Sequence, residues 1–295
     1  MEGKEYLIGE GEPTFTITLH KPIPLSALME STSLALGEAY MDGNLEVEGN
    51  LYNALDHFLG QMGKFSTDKS ALKKLIVTSR TKKNQQKEVQ SHYDIGNDFY
   101  KLWLDETMSY SCGYFKHEDD TLYQAQVNKV DHILEKLYLK EGMSIVDIGC
   151  GWGFLLIQAA KKYKVHGLGV TLSKEQYREF KERIAREHLE ELLDVELMDY
   201  RDLPKYGKSF DRAVSVGMLE HVGRGNYQLF MDTVKEILNP GGLFLLHFIS
   251  ALEEHPGDSW IKKYIFPGVM VLSLWEMISC GSADGFYILD VENLR

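Results

Sequence analysis

Ile145-Val146-Asp147-Ile148-Gly149-Cys150-Gly151-Trp152-Gly153 decides the fold of this 295-residue chain. Apolar and β-branched positions with one acid run up to Gly149, and glycines then recur at Gly149, Gly151 and Gly153. An apolar run of helical spacing follows, with Phe154, Leu155, Leu156, Ile157, Ala159 and Ala160. The pattern predicts a buried strand, a tight turn almost free of side chains, and a helix N-terminus. Glycine lets a turn adopt positive φ and lets a ligand come close to the backbone. In an open α/β sheet such a turn lies at the carboxyl edge of a strand, where small molecules bind.

The turn is selective about what it can hold. A phosphate loop needs Gly-x-x-x-x-Gly-Lys-Ser/Thr after a strand, and the chain has none. A dinucleotide turn reads Gly-x-Gly-x-x-Gly, with an acid about 20 residues on. Here the third glycine comes one residue early, and the next predicted strand ends in Thr171, with Glu175 as the next acid. Asp147 followed by Gly-x-Gly-x-Gly suits S-adenosylmethionine better, since that molecule has a ribose, an adenine and a sulfonium-bearing amino acid but no pyrophosphate. A turn that binds nothing is the blander reading, but spaced glycines weaken a helix start unless something requires them.

Outward from the turn, strand and helix alternate. Helices are predicted at 154–162, 174–188 and 227–238, and strands at 165–170, 194–198, 210–216 and 243–249. The turn Asn239-Pro240-Gly241-Gly242 separates the last helix from the last strand. This order requires a mainly parallel sheet with right-handed crossovers, a Rossmann-like α/β fold. Thr171, Asp199, Glu220, His221 and His247 fall at or just past successive strand ends, along one crevice.

Upstream the character changes. Residues 91–100 (Ser-His-Tyr-Asp-Ile-Gly-Asn-Asp-Phe-Tyr) and 107–115 (Thr-Met-Ser-Tyr-Ser-Cys-Gly-Tyr-Phe) interleave aromatics with polar groups. They predict a helical cap that shields the crevice from water, with ordinary aromatic core packing as the alternative. Residues 122–137 have the spacing of an amphipathic helix. Residues 1–75 predict a small α+β domain, a lipid-presenting or dimerising module or a plain accessory one. Residues 76–90 predict a basic and polar linker, and 91–295 the catalytic domain.

The chain is 44% hydrophobic and 26% charged, with a net charge of −12. That is ordinary globular composition, and the acidity disfavours non-specific nucleic-acid binding. Residues 64–87 carry eight basic residues against one acid. They form either a solvated face or a site for anionic headgroups, worth about 1 kcal/mol per basic residue near such a membrane. There is no 18-residue apolar run and no signal peptide. Cys112, Cys150 and Cys280 form no disulfide framework or metal pair. A reducing cytoplasm is the expected compartment.

Taken with 171–176 (Thr-Leu-Ser-Lys-Glu-Gln) and 220–223 (Glu-His-Val-Gly), these motifs give residues 78–295 a specific resemblance. The chain resembles the cyclopropane-fatty-acyl-phospholipid synthases and mycolic-acid cyclopropane synthases, and its N-terminal part more weakly resembles the accessory domain of the bacterial phospholipid enzymes. The resemblance implies methylene transfer from S-adenosylmethionine to the cis double bond of an unsaturated phospholipid, on a homodimer peripherally attached to the inner membrane face. It implies that Tyr110 and Ser111 contact the donor's amino-acid part and that Gly149, Gly151 and Gly153 form its turn. Thr171, Leu172 and Gln176 would reach the ribose side, and Tyr200 and Arg201 the adenine side. It also implies a bicarbonate beside the sulfonium, held by Cys112, Glu220, His247 and Ile249, the cysteine and isoleucine through backbone groups. The family's C-terminal helical stretch, with a tyrosine that helps hold bicarbonate and a further cysteine, has no counterpart in residues 1–295.

The chemistry suits these residue types. An alkene is a poor nucleophile, so the methyl group must be held close and in line. Transfer leaves a carbocation that faces such as Tyr110 and Tyr114 could stabilise. Ring closure needs a base for the added methyl group, which a bicarbonate polarised by Glu220 and His247 would supply. Each residue also has a plainer reading: Cys112 as a small buried hydrophobe, His247 as a satisfied core histidine, Glu220 as a turn cap. The apolar stretch 267–278 would line an acyl channel or simply form a buried helix pair. Rival functions are a methyl-branching or methylene-forming lipid methyltransferase, a methyltransferase of small soluble molecules, and a non-catalytic lipid-binding protein.

Overall fold

The computed structural model describes residues 3–65, 81–223, 225–252, 257–266 and 271–294. The chain divides into two compact units, Met1–Thr78 with Pro256–Pro267 and Ser79–His255 with Gly268–Arg295.

The larger unit is built on a parallel sheet of β3 (Ser144–Ile148), β4 (His166–Thr171), β5 (Leu193–Leu197), β6 (Phe210–Val216) and β7 (Leu238–His247), in the order β5-β4-β3-β6-β7. Ile145, Val146 and Ile148 of the central strand β3 are at most 1% exposed, the continuous burial of a strand covered on both faces. Side chains alternate across a strand, and the core divides accordingly. Ile145 packs with α6 (Leu122–Lys136), α7 (Phe154–Tyr163) and α8 (Lys174–Arg186) through Leu134, Leu156 and Phe180. Val146 and Ile148 pack with a 3-10 helix (Tyr200–Tyr206), α9 (Leu219–Val222), α10 (Tyr227–Ile237) and α12 (Leu274–Ala283), through Leu203, Phe230 and Met277. The doubly covered parallel sheet is the expected Rossmann-like fold.

Two boundaries differ from the sequence reading. Residues 82–90, expected as linker, belong to helix α4 (Lys82–Tyr93) of the larger unit. Its few apolar positions hid it, but it is anchored by polar contacts, Gln90 Nε2 to the Leu172 carbonyl at 3.4 Å and Lys82 to Asp202 at 2.8 Å. β7 begins at Leu238 rather than after the glycines. Leu238 pairs with Phe210 and Leu243 with Arg212, so Asn239–Gly242 is an excursion within the strand. Asn239 Nδ2 ties it to Asp211 Oδ1 at 2.9 Å.

The smaller unit pairs β1 (Phe15–Leu19) antiparallel with β2 (Leu45–Gly49) and adds α1 (Leu25–Glu30), α2 (Thr32–Met41), α3 (Leu51–Phe65) and α11 (Ser259–Tyr264). The Trp260 ring lies against Gly37, where an added Cβ would come within 2.4 Å of it. Glu38 accepts from the Tyr264 hydroxyl at 2.8 Å and pairs with Lys263. Thus α11, from residues 256–267, completes a unit otherwise made by the N-terminus, which the contiguous 1–75 expectation does not include. Residues 66–80, most of the basic run, lie outside the described residues. Among the described residues no helix is long and apolar enough to cross a membrane.

Candidate functional site

The glycine turn closes over β4. The amides of Gly149 and Cys150 both donate to the Val170 carbonyl, at 3.0 and 3.1 Å. Two of the glycines serve different ends. Gly151, at φ +54°, has nothing within 4 Å of where a Cβ would stand and opens onto a cleft. Gly153, at φ +84°, faces inward, and an added Cβ would lie 2.0 Å from the Phe180 ring. Gly153 is therefore a packing glycine that seats α7 against α8. It belongs to the turn, as expected of it, but does not itself line the cleft.

The aromatic motif docks onto this turn. Trp152 Nε1 donates to Asn97 Oδ1 at 2.7 Å, and Ser173 Oγ to Asp94 Oδ1 at 2.7 Å. Tyr93, Tyr100, Trp103 and Tyr110 pack around Trp152, with the Tyr100 and Trp152 ring centroids 5.1 Å apart. The cap and a packed aromatic cluster are thus the same object.

Between cap and sheet edge lies a cleft of about 1150 Å³ including its open mouth. Tyr110, Ser111, Gly149, Gly151, Thr171, Leu172, Gln176, Tyr200 and Arg201 all line it. Thr171 Oγ1 donates to Gln176 Oε1 at 2.8 Å, fixing both buried side chains. Arg201 is clamped by Asp199 at 2.6 and 2.7 Å, and Asp199 Oδ1 also accepts from the Arg201 amide. Tyr200 is buried, its hydroxyl lacks a partner among the described residues, and burial pushes its pKa up to about 12.

The other four predicted residues do not line the cleft but gather beside it. Cys112 Sγ lies 3.4 Å from His247 Nε2, and the Ile249 amide donates to Glu220 Oε1 at 2.6 Å. The link to the cleft is Gly217. Its amide donates to the His247 carbonyl at 2.9 Å, and its Cβ position is 3.7 Å from Ser111 Cβ. Glu220 Oε2 and His247 Nδ1 are buried without partners among the described residues. Burial raises the Glu220 pKa and lowers that of His247, favouring the neutral form of each. Buried polar atoms are rarely left unpaired, so each of the two calls for a polar partner that the described residues do not supply.

Tyr114, expected to face the cation, instead stacks on His132 at 4.8 Å and does not line the cleft. Of the apolar stretch 267–278, residues 267–270 lie outside the described residues. The remainder puts Leu272 and Met277 into the core and leaves Trp275 76% exposed.

Sequence reading missed the buried lysine of the cleft, while His221, which it placed along the crevice, does line it. Lys129 is 3% exposed and donates to Ser111 Oγ at 2.7 Å. On an amphipathic helix a lysine reads as a solvent-facing residue, and nothing local distinguishes it. His221 lines the cleft with its ring 6.0 Å from that of Tyr93, and burial pushes its pKa down to about 4. Asp147, buried in the cleft wall, has its carboxyl pushed up to about 7 by burial, an effect the nearby Lys129 partly offsets.

A family model described as mycolic acid cyclopropane synthetase matches residues 80–295, and a model of a domain of unknown function matches residues 1–70. The chain is 37% identical to a probable fatty acid methyltransferase of Pseudomonas putida, over 100% of this chain and 75% of that protein. It is likewise 37% identical to the cyclopropane-fatty-acyl-phospholipid synthase of Escherichia coli K12, over 96% of this chain and 73% of the relative. Among solved structures, mycolic acid cyclopropane synthase CmaA1 complexed with SAH and CTAB superposes with a TM-score of 0.66 at 36% identity, over 71% of this chain and 77% of that one.

Proposed function

The chain belongs to the mycolic acid cyclopropane synthetase family of S-adenosylmethionine-dependent methyltransferases, and from that premise we propose that it forms a cyclopropane ring on an unsaturated phospholipid acyl chain, with bicarbonate as base. The observation that carries the reading is the adjacency of the cleft to two buried polar side chains with partnerless atoms. Ser111 lines the cleft, while its neighbour Cys112 touches His247, whose Nδ1, like Glu220 Oε2, lacks a partner among the described residues.

The cleft fits the donor. Gly151 leaves room against the backbone, the Tyr200 hydroxyl lacks a partner among the described residues, and buried Asp147 suits the donor's ammonium. S-adenosylmethionine supplies, when bound, a methyl group activated by a sulfonium. Thr171 and Gln176 hold the ribose side, and Tyr200 and Arg201 the adenine side. Beside the cleft, a small oxyanion that can both accept and donate hydrogen bonds would supply what Glu220 Oε2 and His247 Nδ1 lack among the described residues. Bicarbonate there supplies a base. Glu220, kept in place by the Ile249 amide, and His247, beside Cys112, orient that base toward the added methyl group. Tyr93, Tyr110 and Trp152 keep water from the cation, which it would otherwise trap as an alcohol. Tyr110 also offers a ring face to that charge.

The test incubates purified protein with unsaturated phospholipid vesicles, labelled S-adenosylmethionine and bicarbonate, and reads the lipids by mass spectrometry. A product heavier by one methylene, with ring fragmentation, supports the reading. A methyl-branched or methylene product, or label on a soluble acceptor only, overturns it.

A further inference from the structure

The buried ammonium of Lys129 is not used by the mechanism above. Its Nζ donates to Ser111 Oγ at 2.7 Å and to Gln126 Oε1 at 2.5 Å, both neutral acceptors. Gln126 Nε2 in turn donates to the Ser111 carbonyl at 2.9 Å. Lys129 hydrogen-bonds to no carboxylate among the described residues, although Asp147 shares the cleft wall with it. An ammonium has three donors, so one N–H remains. Burying a charge without a hydrogen-bonded counter-ion costs several kcal/mol, and Lys129 is 3% exposed. An arriving anion would relieve that cost.

Lys129 lines the cleft, alongside Ser111, Asp147 and Gly149, whereas Glu220 and His247 do not. We propose that Lys129 is the carboxylate-binding residue of the methyl-donor site, taking the carboxylate at the amino-acid end of S-adenosylmethionine. This rests on the donor reading above. It gives the cleft opposite charges for a zwitterion, Lys129 for the carboxylate and Asp147 for the ammonium. It also ties donor binding to the loop that carries Cys112, because the same ammonium holds Ser111.

The experiment measures by calorimetry the dissociation constants of S-adenosylhomocysteine and of its decarboxylated counterpart, in which hydrogen replaces the carboxylate. The wild-type protein should prefer the carboxylate form by on the order of 10- to 100-fold, the range of a hydrogen bond to a charged group. In Lys129→Met the preference should collapse to less than about 3-fold, while Lys129→Arg keeps part of it. The preference is a ratio within each protein, so an overall loss of affinity does not obscure it, and Lys129→Gln provides a second reading of the same ratio. An unchanged preference in Lys129→Met, or equal weakening of both compounds, overturns the proposal. So does an unchanged preference accompanied by a higher bicarbonate requirement for turnover, which would assign Lys129 to the neighbouring Glu220 and His247 group. If wild-type protein binds neither compound, the donor reading itself fails.

Discussion

At the scale of single residues, burial sets which protonation states the site can hold. Glu220→Ala or His247→Ala should abolish turnover while leaving donor affinity largely unchanged, because neither side chain lines the cleft; lipid product and calorimetry together check this. Asp147 carries a cost when nothing is bound. Its pKa, moved from 3.8 to about 7, means that the folded protein keeps a proton that the unfolded chain releases across that interval. The stability contribution therefore falls as pH rises through the window. Asp147→Asn should raise the melting temperature, more at pH 8 than at pH 5, and weaken donor binding by about tenfold or more. A melting temperature lowered equally at both pH values would refute the assignment. Gly153→Ala should cost about 3 kcal/mol of stability, since it sets a methyl group against Phe180 at positive φ, which chemical denaturation would measure.

At the scale of elements, legibility followed the range of the interactions. The β3–turn–α7 unit could be read because its apolar run, glycines and following helix are all local in sequence. The gathering at the strand ends could be read because parallel topology brings those ends together. What could not be read depended on partners distant in sequence. Phe180, 27 positions beyond Gly153, decides which way that glycine faces, and Ser111, 18 positions before Lys129, accepts from that lysine inside the cleft wall. Helix α4 has almost no apolar stripe because it is held by hydrogen bonds, which leave no periodic trace. The cap's attachment is similarly polar. Ser173 both caps α8, accepting from the Gln176 amide at 3.2 Å, and holds Asp94. Ser173→Ala should lower stability by about 1 kcal/mol and raise the Michaelis constant for the donor, as the cap loosens over Leu172 and Gln176. Steady-state kinetics beside a denaturation curve test both effects.

At the scale of the whole molecule, two properties bear on how the protein meets a lipid surface. Neutralising Lys73, Lys74, Lys82 and Lys83 should weaken binding to anionic vesicles, at about 1 kcal/mol per charge at most, and high salt should mimic the change. Lys82 should contribute least, because it already pairs with Asp202. Flotation assays decide this, and unchanged binding would make the run a solvated face. The other property is the interrupted make-up of the smaller unit, whose last helix is encoded after all five strands of the parallel sheet. During synthesis, residues 1–65 must wait for almost 200 more before Trp260 can settle on Gly37. Residues 1–65 therefore leave the ribosome before the helix that completes their unit has been made.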